Sequence, residues 1–476
     1  MENAAQTLHR LTSYEPGREW TDPIADPRIV QDFSPNDFSR LPWFFKRFSP
    51  ELPRLPLPPS LPPTSSPALD VLAGVPAPAL PLDLAQLGRI LFLAAGVVRT
   101  TERPPHGTWY FRAAGSAGAR FPLELYVAVP AGSGSLPPGV HWYDPAAHAL
   151  VTVGPPPTGD APAIITTGVP WRTGWRYRER GYRHVYWDAG TMLSQLLTAA
   201  AAAGLSADLY TTFADRTVAS LVGADGVHEW PVAVVALGGA PALIPGAPAA
   251  PGDVDAAPME FPLVTATQHA GDDLVLGAPW PSPSPSPVPS TDSRTIDEII
   301  LARGSTRRMN PSSGVPLTTL TTSMQLALRG INIPHFVAAH AVDDLAPALY
   351  RWPDLSTPIR SGSQREDLYR IALDQGLARD AAFVAIAAAD LTQLGPHSYR
   401  EAQLASGLVE GRLHLLAYAL GAGASGMTFM DSEIPTYLAA PLEALIFTCV
   451  GIPDYKPSVG GTPGAPVEVR RVAPRD

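Results

Sequence analysis

Cysteine is almost missing from this 476-residue chain: Cys449, inside the apolar run LIFTCVGIP, is the single one. One thiol excludes an intrachain disulfide framework and any cysteine-based metal site, and it fits a cytoplasmic setting. Long hydrophobic runs are missing too. No uninterrupted apolar stretch approaches the roughly 20 residues that span a bilayer, and the opening MENAAQTLHRLTSYEP has no basic-then-apolar export pattern. Positive charge is short: 34 Lys and Arg against 44 Asp and Glu give a net charge of -10, which argues against a nucleic-acid binder with a basic face. The 11 histidines show no ligand spacing, so no metal is expected. There is no Walker loop and no G-x-S-x-G elbow. The one G-x-G-x-x-G match, GAGASG at 421–426, follows a helical pattern instead of a strand. A nicotinamide cofactor would therefore act only as a transient reductant.

What is abundant is proline, 55 residues, concentrated in PRLPLPPSLPPTSSP (53–67) and PWPSPSPSPVP (279–289). Proline removes the donor that helices and ladders need, so both stretches read as extended connectors. The second separates two halves, 1–275 and 293–476, with a Pro/Ser-rich linker at 276–292. The same order of elements recurs on either side. LAQLGRILFLAAG (84–96) has helical spacing and FPLELYVAV (121–129) reads as a buried strand. DAGTMLSQLLTAAAAAGL (188–205) is predicted as a helix, with Met192, Leu193, Leu196, Leu197 and Ala200 on one stripe, and WPVAVVALGG (230–239) as a final strand. SMQLALRG, HFVAAHAV, GLVEGRLHLLAYALGAGASG and LEALIFTCVGIP repeat that order, which implies an α+β unit in each half.

Against the acidic background, RGSTRRMN (303–310) is a local exception, with three arginines and two hydroxyls in six positions. Forked cationic donors beside hydroxyls suit a phosphate or another anion. If the stretch enters a helix, Ser305 and Thr306 cap it and aim N–H groups at that anion; a solvated basic turn is the plainer alternative.

The segment Arg303, Gly304, Ser305, Thr306, Arg307 resembles the R-x-S-x-R opening of flavin-dependent nitroreductases, and ALGAGASGMTF (419–429) resembles their glycine-rich turn. FRAAGSAGARFPLELYV (111–127) is similar to the RxxPSaGalyPlElY block of SagB-type dehydrogenases, the branch that includes azoline oxidases of peptide natural products. GYRHVYWDAG (181–190) and HRLTSY (9–14) share the likeness. The resemblance implies two fused nitroreductase-like α+β units forming an intrachain pseudo-dimer, monomeric or further assembled, and an FMN-dependent oxidoreductase that tailors a peptide or other secondary metabolite. The alternative is a non-catalytic flavin-binding partner in a biosynthetic complex. In that family one protomer supplies the arginine-serine-arginine segment and the glycine-rich turn, and the other supplies the serine loop. Here those pieces fall in opposite halves. The resemblance thus implies one FMN per chain, bound by Arg303, Ser305, Arg307, Gly423, Ser425 and Gly426 from one half and Arg112, Ser116, Ala117, Gly118 and Gln195 from the other. Glycines 115 and 118 also serve plainly as turn residues, and glycines 421, 423 and 426 as the end of an apolar helix. Azoline oxidases carry a Lys-Tyr pair in a KYGeRGYR-like block; WRYRERGYRH places Arg176 and Tyr177 there as candidate catalytic residues. Arginine is a poor base and a good anion clamp, so the departure weakens azoline oxidation specifically.

Overall fold

The structure is a computed structural model, which describes residues 2–17, 26–288, 292–470 and 472–473. Residues 289–291 of the Pro/Ser-rich segment lie outside the described residues. Thirteen α-helices are found among them: α1 (Ala4–Leu11), α2 (Ala68–Leu72), α3 (Leu84–Ala95), α4 (Pro170–Tyr177), α5 (Gly181–Ala202), α6 (Asp215–Val222), α7 (Pro262–His269), α8 (Ile296–Ala302), α9 (Leu317–Ala327), α10 (Arg365–Ile371), α11 (Gly376–Asp380), α12 (Pro396–Ala419) and α13 (Ile434–Leu438). The strands of the first half are β1 (Arg54–Pro56), β2 (Val97–Glu102), β3 (Thr108–Arg112), β4 (Leu123–Val129), β5 (Gly139–Asp144), β6 (Ala149–Gly154), β7 (Ala163–Gly168), β8 (Ala207–Tyr210) and β9 (Trp230–Leu237). Those of the second are β10 (His335–Ala339), β11 (Ala348–Arg351), β12 (Asp354–Ser361), β13 (Phe383–Ala389), β14 (Gly423–Met427), β15 (Glu443–Gly451) and β16 (Val467–Glu468).

Two antiparallel sheets carry the halves, ordered β1-β6-β5-β4-β7-β9-β8 and β12-β11-β10-β13-β15-β14. Apart from the edge strand β1 the two orders are the same, with β4 corresponding to β10, β7 to β13 and β9 to β15. The repeated element order implies an α+β unit in each half, and the two units form the intrachain pseudo-dimer that the resemblance implies. β7, β9 and β13 are buried along their whole length, which is why their sequences are near-continuous apolar runs.

The seam is a helix pair. α5 and α12, buried almost all round, cross where a Cβ on Gly190 would stand 2.2 Å from the Leu404 carbonyl oxygen and one on Gly407 would stand 2.3 Å from that of Trp187. Only glycine at both positions lets the backbones approach so closely. The contact is reciprocal, so Gly190 and Gly407 are mates under a pseudo-two-fold, as are Tyr182 and Tyr399, whose rings stack 6.4 Å apart at 11°. Arg183 and Arg400 are mates as well. Each reaches a carboxylate of the opposite half: Arg183 to Asp431 at 2.6 Å, with Arg180 also at 2.6 Å, and Arg400 to Asp215 at 3.1 Å. Asp431 is held well below the usual carboxylate range because the two guanidiniums outweigh its burial.

The helix at 188–205 starts earlier than its apolar stripe predicts. It begins at Gly181, so that GYRHVYW precedes the predicted segment within α5, and packing on α12 overrides the low helix propensity of Gly190. The described part of the proline connector, 279–288, is held by both halves: Ser286 N–H donates to Ala73 O of the first, and Arg329 of the second donates to Pro283 O and Ser284 O. Among the described residues no helix is long and apolar enough to cross a membrane, and no cluster of three or more potential metal ligands occurs.

Candidate functional site

Arg303 is the C-cap of α8, so the basic stretch leaves a helix and does not begin one. This corrects the expected N-terminal cap. Beyond Arg303 the chain runs extended beside β14: Ser305 bridges Ala424, and Thr306 N–H donates to Ala424 O at 2.9 Å. The glycine-rich turn is corrected in the same way. Only Gly421 turns, at φ +80, and Gly423 to Met427 form a strand because β15 offers them partners. A Cβ on Gly423 would meet Thr306 Oγ1 at 2.4 Å, and one on Gly426 would meet the carboxylate of Glu410 from α12 at 2.1 Å. Ser425 is buried on the same strand, opposite Cys449.

Arg303 is 2% exposed. Its Nη2 donates to Ala113 O, while Nε and Nη1 have no hydrogen-bond partner. Burial, then the nearby Arg99 charge, lowers its pKa to about 10, which leaves it cationic at neutral pH. A Cβ on Gly115 would lie 3.4 Å from both Arg303 Nη1 and Ser305 Oγ. The serine loop of the first half and the arginine-serine segment of the second therefore meet across the pseudo-two-fold, as the distribution of motifs implies.

That loop is latched from α5. Ser116 Oγ donates to Asp188 Oδ2 at 2.5 Å, Ala117 N–H donates to Asp188 Oδ1 at 2.9 Å, and Phe121 N–H donates to Ser116 Oγ at 2.8 Å. Asp188 is buried, and burial pushes its pKa up to about 8 against the two hydrogen bonds, with the Glu410 charge adding to the rise. Gly118, at φ +59, turns the loop under α4. A Cβ there would stand 2.3 Å from Arg176 Cδ and 3.0 Å from the Tyr177 hydroxyl. The Tyr177 ring stacks on His184 with centroids 4.0 Å apart at 18°. Burial raises the Tyr177 pKa, opposed by the charges of Arg176 and Arg307, so the residue is a neutral phenol at physiological pH. Arg307 is fixed by its N–H donating to the Tyr455 hydroxyl at 3.0 Å.

Two of the expected residues are committed elsewhere. Arg112 donates to Leu123 O at 2.6 Å and Phe44 O at 3.2 Å and faces Glu124. Gln195 donates to Leu93 O at 2.6 Å, one turn past Thr191, and its Oε1 is buried without a partner. Sequence reasoning missed Asp188, Thr191, Glu410 and His414. Thr191 Oγ1 donates to Glu410 Oε2 at 3.2 Å, and His414 Nε2 lies 3.5 Å from Glu410 Oε1, its pKa lowered by burial. The available signal was one acid and one histidine four residues apart inside an otherwise apolar helix, EGRLH.

The mirrored position lacks this equipment. α2 pairs with the start of α8 through Pro67 and Thr295, and its C-cap is Ala73 followed by Gly74, where α8 has Arg303 and Gly304. Under the relation that exchanges Gly190 and Gly407, Asp188 corresponds to Ala405, Thr191 to Leu408, Glu410 to Leu193 and His414 to Leu197. Arg329 fills the space beside Gly74, its Nη2 standing 2.1 Å from where a Cβ would be.

Comparison with known proteins gives a consistent fold. Residues 137–239 match the nitroreductase family model. A nitroreductase-named protein of Methanocaldococcus jannaschii is 29% identical over 173 residues, 33% of this chain and 81% of that one. A crystal structure from Anabaena variabilis, described as a nitroreductase, superposes with a TM-score of 0.70 at 23% identity, covering 95% of this chain and all of that one. The fold thus recurs over 95% of this chain. A nitroreductase structure from Exiguobacterium sibiricum in complex with FMN has a TM-score of 0.27 at 14% identity, covering 35% of this chain and 92% of that one, a likeness too slight to bear on this site.

Proposed function

We propose that this chain is an FMN-dependent oxidoreductase of the SagB-type branch of the nitroreductases, a tandem fusion of two units with one composite flavin site. The proposed units are 1–275 and 293–476, joined by the segment 276–292. The observation that carries the reading is the Arg303 guanidinium, buried, cationic and with two donor nitrogens lacking partners, against the Gly115 cradle of the other half. A buried cation with idle donors costs several kcal/mol unless an anion completes it. FMN brings a phosphate dianion and a ring that becomes anionic on reduction.

Arg303, Ser305 and Arg307 would hold the anionic parts, and Ser116, Ala117 and Gly118 would line the opposite wall, fixed by Asp188. Gly423, Ser425 and Gly426 would close the side beneath Glu410. When bound, the flavin supplies two-electron hydride chemistry. The chain's contribution to proton movement is Tyr177, whose hydroxyl stands beside the bend at Gly118 and can donate or accept a proton. Arg176 cannot serve as a base. Its presence in place of the family's lysine supports hydride transfer over azoline oxidation, and it also favours the second reading, a flavin-binding partner without turnover. NAD(P)H would act as a transient reductant, and the substrate is a small molecule or peptide. Visible absorbance of the purified protein tests the proposal. Flavin bands that bleach anaerobically with NAD(P)H or a substrate support the enzyme, bands that never bleach favour the partner, and a colourless protein that takes up no added FMN refutes both.

A further inference from the structure

Beside the proposed flavin site, the wall behind Gly118 is crowded with positive charge. Arg120 is fully buried, ringed by Phe44, Trp109 and Trp175 at 5.0, 5.4 and 4.9 Å from its guanidinium carbon. Arg176 lies over the outer side of Trp175, at 5.6 Å, with its side chain across Gly118. Neither pairs with a carboxylate among the described residues, and Arg120 Nη1 and Arg176 Nε are buried without partners. Arg172 and Arg112 share a single carboxylate, Glu124, at 2.6 and 3.9 Å. Asp255, the other acid near Arg120, is occupied by Trp43 N–H and Trp171 Nε1. Arg120 feels the like charges of Arg176, Arg172 and Arg103 in addition to its burial, and its pKa falls to about 9. Aromatic faces offset part of the cost of such a cluster, but they do not neutralise it. A field of one sign around idle donors is what an anionic ligand completes.

We infer that Arg176, backed by Arg120, is a substrate-side clamp for a carboxylate, so that the enzyme acts on a carboxylate-bearing small molecule. This deepens the flavin reading and rests on it for the word substrate. Gly118 is what admits the clamp, because any side chain there would occupy the position of Arg176 Cδ. The Tyr177 hydroxyl beside the same glycine would then hold the group undergoing reaction next to the anchored carboxylate. Arg176 also accounts for the departure from lysine at this position: a planar fork matches a carboxylate through two parallel hydrogen bonds, which a point charge does not.

The test is isothermal titration calorimetry on the whole chain as purified, its FMN content measured separately, with benzoate, phenyl phosphate and benzamide as probes. Benzoate is expected to bind at least about tenfold tighter than the isosteric neutral benzamide, with that preference lost in Arg176→Gln and reduced but not abolished in Arg176→Lys, which keeps the charge without the fork. Phenyl phosphate separates the two anion chemistries, and binding tighter than benzoate would overturn the carboxylate assignment. Equal or undetectable binding of benzoate and benzamide, or a preference that survives Arg176→Gln, overturns the inference. Loss of FMN from Arg176→Gln does so too, because the clamp would then belong to the cofactor. A protein that holds no FMN yet shows the benzoate preference, lost in Arg176→Gln, would sink the flavin reading while leaving the anion site standing.

Discussion

Replacing Arg303 by methionine removes the charge while keeping most of the stem, and the structure predicts effects of opposite sign on cofactor affinity and on stability. In the protein without ligand, Arg303 is a buried cation with one hydrogen bond, to Ala113 O, two idle nitrogens and no carboxylate partner among the described residues. The change forfeits one hydrogen bond, about 1 kcal/mol, and relieves a desolvated charge that costs at least as much. Apo-protein stability should therefore stay level or rise. In the complex, the same change deletes a charge-assisted contact to a bound anion, about 1.5–3 kcal/mol, or roughly 10- to 100-fold in FMN dissociation constant. Flavin fluorescence titration gives the affinity and urea unfolding of the apo-protein gives the stability. If Arg303→Met bound FMN as tightly as the parent, the guanidinium would have no ligand role. A loss of more than about 2 kcal/mol of apo stability would mean that it is a structural cap, and the reasoning from idle donors would fall.

Three further outcomes are expected. Tyr177→Phe should leave bound flavin and its spectrum unchanged while slowing substrate-dependent flavin reduction by about 10²-fold or more in stopped-flow traces, and an unchanged rate would remove the hydroxyl from the chemistry. Asp188 has a folded pKa of about 8, above an unfolded value near 3.9. Its stabilising contribution is complete below about pH 4 and is lost as pH rises through 8. The melting temperature of the parent relative to Asp188→Asn should accordingly fall with rising pH, whereas a constant difference would show that the carboxyl does not titrate there. Asp431 is the opposite case: its carboxylate serves Arg180, Arg183 and the Tyr14 N–H at 2.8 Å. Asp431→Asn should cost about 3–5 kcal/mol in urea unfolding at neutral pH, because it strands two buried cations. The cost should shrink in acid, where the parent's carboxylate itself becomes protonated, and a loss under about 1 kcal/mol would contradict the pairing.

The repeated architecture was legible because its strands are apolar runs and its helices carry a 3.6-residue stripe, and both signals survive in each half. Boundaries were less legible where a partner decides them. GYRHVYW joins α5 because α12 buries it, and ASGM becomes β14 because β15 and residues 305–306 supply its hydrogen bonds. The meeting of Gly115 with Arg303 followed from motifs that could be read one at a time. Asp188, Glu410 and His414 could not be read in that way. An acid and a histidine four residues apart in an apolar helix are a weak signal, and only the crossing of α5 and α12 shows that Asp188 holds the loop and that Glu410, beside His414, faces the strand. The contrast between the two mirrored positions was half visible, because the R-x-S-x-R stands in the second half alone. The pairing of Ala73 with Arg303 needed the pseudo-two-fold.

The central claim, one composite flavin site built from both halves, is tested most directly by counting released FMN against protein after saturation and gel filtration. The account predicts one FMN per chain, because Ala73, Ala405, Leu408, Leu193 and Leu197 stand where the mirrored site would need polar groups and Arg329 occupies its space. A ratio near two would contradict it by showing that the mirrored position still binds, and a ratio near zero would contradict the flavin assignment itself.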